Sequence, residues 1–135
     1  MTERLTNAKL GYHGLRLAFG ISFFVHGAIR LPKLTEFATG MAGQFDGTLL
    51  AGFPALSFAY LIPIAETLIG LSLVIGSRFV RWAAFAGCFL MGGIMIGTCV
   101  LEKWDALASQ LIHLIVFYLI LINPYTADST EDANR

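Results

Sequence analysis

Residues 12–31, YHGLRLAFGISFFVHGAIRL, limit the possible folds more than any other stretch of the chain. They form a continuous apolar run that nevertheless carries Arg16, His26 and Arg30. Twenty residues of helix rise about 30 Å, the thickness of a bilayer's hydrocarbon core. Titratable groups in such a run are costly against lipid and are tolerated where they face other helices, water or a ligand. Three further apolar runs follow, at 54–75, 79–101 and 106–122. The chain is 56% hydrophobic and 13% charged, and 135 residues are too few to hide that much apolar surface from water. The expected fold is all-α: an integral membrane four-helix bundle forming one domain, residues 1–135.

The connections support this division. Pro32 stops the first run, and Pro54 suits the first turn of the second. Pro63 falls inside the second run and predicts a kink. Between them, residues 32–53 place Leu34, Phe37, Ala38 and Met41 at helical spacing, which predicts a short interfacial helix between helices 1 and 2. The third run has no charge beyond Arg81, and Gly93 and Gly97 form a GxxxG pair suited to close approach by another backbone. The tail 124–135 is polar and acidic and is expected to be disordered. The first run is too long for a signal-peptide core and lacks an A-x-A site, so it reads as a retained span.

Several functions are excluded. The net charge is zero and no basic stripe occurs, which argues against nucleic acid as a partner. Cys88 and Cys99 lie eleven residues apart in one span, about 16 Å along a helix, beyond the reach of a disulfide. With no CxxC present they read as apolar fillers. Four spans put both termini on one side of the membrane. Arg4, Lys9, Arg16, Arg78, Arg81 and Arg135 fall on that side and Arg30, Lys33 and Lys103 on the other, so the positive-inside rule predicts cytoplasmic termini.

The polar residues inside the spans are the candidates for chemistry. Counted along ideal helices, His26 lies about 8 Å from the outer edge, and Gln110 and His113 about 6 and 10 Å. Arg30 sits at that edge. Glu66 comes out about 18 Å deep, in a layer beneath the others. His26 and Arg30 are i, i+4, and Gln110 and His113 are i, i+3, so each pair shares a helix face. If the first, second and fourth spans are neighbours, all five residues line one polar pocket that opens outward.

A histidine near a buried carboxylate is suited to passing protons, which assigns catalytic roles to Glu66, His26 and His113. Arg30, Arg16 and Gln110 are then candidates for binding a cofactor. Proton-coupled reduction of a quinone also needs an apolar slot, for which Phe23, Phe24, Phe58, Tyr60, Phe117 and Tyr118 are available. The plainer alternative is that His26, Glu66 and His113 hydrogen-bond between helices and hold the bundle together. Arg16, about 6 Å from the inner edge, either reaches back to the headgroups or pairs with Glu66. Two histidines and a glutamate at unlike depths do not predict a metal site.

Residues 16–31, RLAFGISFFVHGAIRL, resemble the first helix of the DoxX family, whose pattern is R-x3-G-x5-HG-x2-KL. Arg16, Gly20, His26, Gly27 and Leu31 match it, and Arg30 stands where lysine is usual. Gly52–Pro54 is similar to the family's entry into its second helix. Glu66, Gly70 and Gly76 followed by Arg78 resemble its second motif, E-x3-G-x5-G. The resemblance extends over residues 10–123, and the closing NPYTADS departs from the family's glycine-rich end. It implies a bacterial inner-membrane protein. Some such proteins are subunits of thiosulfate:quinone oxidoreductase or of membrane oxidoreductase assemblies in oxidative-stress defence. Wider relatives act as cargo receptors or assembly chaperones. The resemblance thus implies an oxidoreductase subunit working with quinone and a protein partner or a second copy, in contact with membrane lipid. A non-catalytic accessory protein, docking a partner through the glycines of the third span, is the alternative.

Overall fold

The first helix begins where Thr6 caps it. Its side-chain oxygen accepts from the Lys9 backbone N–H at 3.2 Å, satisfying one of the free donors at a helix start. The computed structural model describes residues 6–126. Helix α1 spans Asn7–Ala28, starting earlier than the apolar run because of that cap. A 3-10 turn at Leu31–Lys33 contains Pro32 and leads into α2, Leu34–Gly43. Helices α3 (Phe53–Ile75), α4 (Phe79–Val100) and α5 (Trp104–Ile122) complete the fold. No strand occurs among the described residues. Four helical stretches are long and apolar enough to cross a membrane. Their outer faces carry Trp82, Phe89, Ile96 and Ile112, each more than 60% exposed. Apolar surface of this extent is stable only against lipid, and the chain is a multi-pass membrane protein.

Helices α1 and α3 pack backbone to backbone. A Cβ on Gly27 would stand 2.6 Å from the Thr67 nitrogen and 2.7 Å from the Pro63 carbonyl oxygen. A Cβ on Gly70 would run into the backbone of Phe24. Small residues at both sides of a crossing permit this approach, and dispersion and weak polar contacts then hold the pair where lipid gives no hydrophobic drive. The contact also fixes the depth of Glu66. With Gly27 set against 63–67, Glu66 lies level with His26, not in a layer beneath it. The deeper placement assumed that α1 ends level with the start of α3. In fact α3 begins beyond the end of α1, and α2 packs along it. α3 continues through Pro63 as one helix.

At the other end of the same antiparallel pair, Arg16 is nine-tenths buried. Its guanidinium donates to the Leu73 carbonyl and, at 3.4 Å, to that of Val74. These belong to the last turn of α3, where carbonyls lack helical partners and the helix dipole is negative. Gly76, at φ +85°, closes the helix in the left-handed region and leaves room for the guanidinium, which would lie 2.9 Å from a Cβ there. Arg16 therefore does not meet Glu66. The antiparallel crossing puts it beside the opposite end of α3.

Helices α4 and α5 form the second tight pair, and α3 packs on α4, but α1 and α5 meet only sparsely. Aromatic rings bridge them. Phe117 is fully buried, edge-on to Phe19 at 4.8 Å and to Phe23 at 5.1 Å, in space left open by Gly87. Gly93 and Gly97 likewise accommodate rings, those of Phe58 and Phe45. This corrects the expectation of a glycine face free for a partner's backbone, because the chain's own aromatic side chains cover it. The start of the polar tail is docked rather than loose: Thr126 hydrogen-bonds to Tyr12 at 2.9 Å and to the Ile120 carbonyl. Residues 127–135, on which the rest of the disorder expectation falls, lie outside the described residues.

Candidate functional site

The sparse meeting of α1 and α5 leaves a cleft of about 280 Å³. His26 reaches it from α1, Arg30 from the turn just after α1, Glu66 from α3, and Gln110 and His113 from α5. The five residues expected to share a pocket thus do so, while Arg16 stands apart at the far end of the bundle. Ser22, His26 and Ser109 line the cleft and are exposed. All three belong to α1 or α5, so the cleft opens sideways between two spanning helices, a different exit from the outward one expected.

Arg30 ties the cluster together. One Nη lies 2.9 Å from Glu66 Oε2, and the other lies 2.8 Å from His26 Nε2. A guanidinium only donates, so His26 Nε2 accepts and its ring carries the proton on Nδ1. The guanidinium also sits over the Phe37 ring of α2, 4.7 Å from its centre. One side chain therefore links α1, α2 and α3. Glu66, with a side chain only 6% exposed, has its charge matched in the way an intramembrane carboxylate requires.

On α5, His113 Nδ1 lies 2.7 Å from the Ser109 carbonyl oxygen, one turn back. Its ring rests against Phe19 and Phe23, at 5.7 and 6.4 Å between centres. Gln110 donates from Nε2 to Thr98 Oγ1 of α4 at 2.7 Å. Thr98 in turn donates to the Ile94 carbonyl at 3.0 Å. Among the described residues, no group of His, Cys, Asp and Glu side chains could hold a metal ion.

Beside the cleft lies a second, apolar cavity of about 390 Å³, walled by α2, α3, α4 and the start of α5. Phe45, Leu50, Phe58, Ile96 and Leu101 line it. Met41, Ile62, Ile94 and Gln110 line both spaces, so the polar cleft and the apolar cavity adjoin. Of the aromatic residues proposed as a slot, Phe58 lines the cavity and Phe23 the cleft. Phe117 is core, and Tyr118 is exposed on the outer surface.

Ser22, Ser109, Phe37, Met41 and Thr98 are site residues that the sequence reasoning missed. Ser22 and Ser109 each lie four residues before a histidine already singled out, so the same helix-face argument would have found them. Thr98 is a lone polar side chain in a glycine-rich span, which is a weaker signal. Phe37 and Met41 depend on how α2 folds back, and no local spacing reports that.

No curated protein and no solved structure matches the chain. The DoxX family model matches residues 11–104, a range that holds His26, Arg30 and Glu66 and stops short of Gln110 and His113. With more than half of its length matched, the chain belongs to the DoxX family.

Proposed function

We propose that this chain is the membrane subunit of an oxidoreductase assembly and offers its lateral cleft to a quinone. The observation that carries the reading is the adjoining pair of spaces. A cluster of one cation, one carboxylate, two imidazoles and an amide opens between two lipid-facing helices, next to a cavity walled by apolar side chains. A molecule dissolved in the bilayer with a polar ring and a greasy body needs both. Small-molecule sites combine a mainly apolar lining with a few converging polar groups in this way, commonly at volumes of about 300–1,000 Å³.

A quinone would supply two-electron, two-proton chemistry that no side chain here provides, with a partner subunit as the electron donor. The chain's own residues bind and orient. Arg30 holds Glu66 and His26 in register, Gln110 and His113 present polar atoms to the head, and Phe58 and its neighbours take the body. Glu66 and the histidines are the groups suited to hold a proton at the cleft wall. The cation bias supports cytoplasmic termini and an inner-membrane location, as in the bacterial members that the family resemblance implies.

The test is purification from native membranes in mild detergent, followed by mass spectrometry of the co-purifying lipids, quinones and proteins. Quinone in stoichiometric amount together with a redox-active partner is the expected result. A ligand-free chain, alone or bound only to its own copies, would overturn the reading.

A further inference from the structure

The end of the bundle at which Thr6 and Tyr125 meet is one-sided in charge. Among the described residues it carries Lys9, Arg16, Arg78 and Arg81 and no acidic side chain. Glu36, Asp46, Glu102 and Asp105 lie at the other end, and Glu66 is in the cleft. At the cationic end, the start of α4 and the end of α5 border a cavity of about 480 Å³, separate from the two described above. Trp82 and Phe85 of α4 and Leu121 and Ile122 of α5 form its apolar wall. Arg81 is the one ionisable side chain that lines it.

Arg81 is exposed and has no hydrogen-bond or ion-pair partner among the described residues. A guanidinium only donates, and its planar fork matches the oxygens of a phosphate. Asn123 lines the same space. Its Oδ1 accepts from the Tyr125 backbone N–H at 3.1 Å, which leaves the N–H groups of the side-chain amide to donate elsewhere. Arg81 lies in the first turn of α4 and Asn123 caps the end of α5, so both sit at the edge of the bilayer. Phe85 lies about one turn deeper. Its ring is edge-on to Trp82 at 6.4 Å and to Phe89 at 5.1 Å. The three rings form a ladder about 10 Å long on the outside of α4. They are 68%, 47% and 71% exposed from Trp82 to Phe89. A cation at the membrane edge thus stands above an apolar track that runs toward the bilayer centre.

We propose that this cavity holds one anionic phospholipid. The lipid phosphate lies against Arg81 and Asn123, and one acyl chain follows Trp82, Phe85 and Phe89. Basic sites between spanning helices select anionic headgroups because charges attract more strongly beside the low-dielectric bilayer than in water. The rival occupant is the chain's own tail. Residues 127–135, ADSTEDANR, include Asp128, Glu131 and Asp132 but no large apolar side chain to cover the aromatic ladder. The cavity shares no lining residue with the cleft, so the proposal stands apart from the quinone reading.

The experiment titrates the full chain in detergent with dioleoyl phosphatidylglycerol or with dioleoyl phosphatidylcholine, which differ only in the headgroup. Native mass spectrometry counts the lipids retained. The expected result is one phosphatidylglycerol bound about tenfold more tightly than phosphatidylcholine, a difference within reach of one charge-assisted contact. Arg81→Gln should remove that preference, and the variant should fold because the side chain it replaces is exposed and unpartnered. Lys33→Gln, which removes a cation at the other end, should keep the preference. Phe85→Ala should weaken both lipids alike, because their chains are the same. Equal binding of the two lipids to the unaltered chain overturns the proposal, the outcome expected if tail carboxylates hold Arg81. An unchanged preference in Arg81→Gln, an equal loss in Lys33→Gln, or no effect of Phe85→Ala overturns it as well.

Discussion

Arg30→Leu should destabilise the folded chain by about 3–5 kcal/mol, the usual cost of breaking a buried ion pair from one side. Arg30 holds three elements at once, through Glu66, His26 and the Phe37 ring. Its loss leaves Glu66 in an apolar bundle with no counter-charge, and the carboxylate must then bind a proton or unfold its surroundings. Glu66→Leu alone should cost less, because Arg30 is 23% exposed and can turn outward. The double replacement should recover much of the loss, since two apolar side chains of similar volume leave no charge uncompensated. Reversible unfolding in mixed micelles, run as a double-mutant cycle, measures this. Additive single effects would show that the pair is not coupled.

Gly70→Leu should be at least as severe. A side chain at Gly70 meets the backbone of Phe24, which cannot swing aside as a side chain tip can. Overpacking a well-filled contact costs about 1–3 kcal/mol, and a collision with backbone belongs at or beyond the top of that range. The expected result is an α1–α3 pair that no longer closes, read as loss of the folded species in the same micelles. Gly92→Leu is the matched control. Nothing lies within 4 Å of a Cβ at Gly92, and leucine favours helix over glycine, so that variant should fold normally. Equal behaviour of the two variants would deny that α1 and α3 touch through their backbones.

Much of this arrangement is legible in the amino-acid sequence, because it follows from spacing within single helices. Four apolar runs separated by prolines and polar turns define four spans. The i, i+4 step from His26 to Arg30 and the i, i+3 step from Gln110 to His113 put polar atoms on shared faces. What spacing cannot convey is how far one helix slides along another. The depth of Glu66 depends on the overhang of α3 past α1, which the intervening segment 29–52 and the Gly27–Pro63 contact determine together. The place of Arg16 was illegible for a similar reason. Its partners are backbone carbonyls of a distant turn, which carry no residue-type signal. The GxxxG pair of α4 misleads because small residues make room for rings as readily as for backbones.

The central claim is that three bilayer-crossing helices turn their titratable side chains toward one another across a single cleft, and that the Arg30–Glu66 contact anchors them. Solid-state NMR of the chain in lipid bilayers tests it most directly, with the arginine guanidinium nitrogens and the glutamate side-chain carboxyl carbons isotopically labelled. Strong dipolar coupling between the Arg30 guanidinium and the Glu66 carboxylate, matching an N···O separation of 2.9 Å, is the predicted result. A Glu66 carboxyl that couples instead to acyl-chain protons, with no transfer from Arg30, would contradict the account.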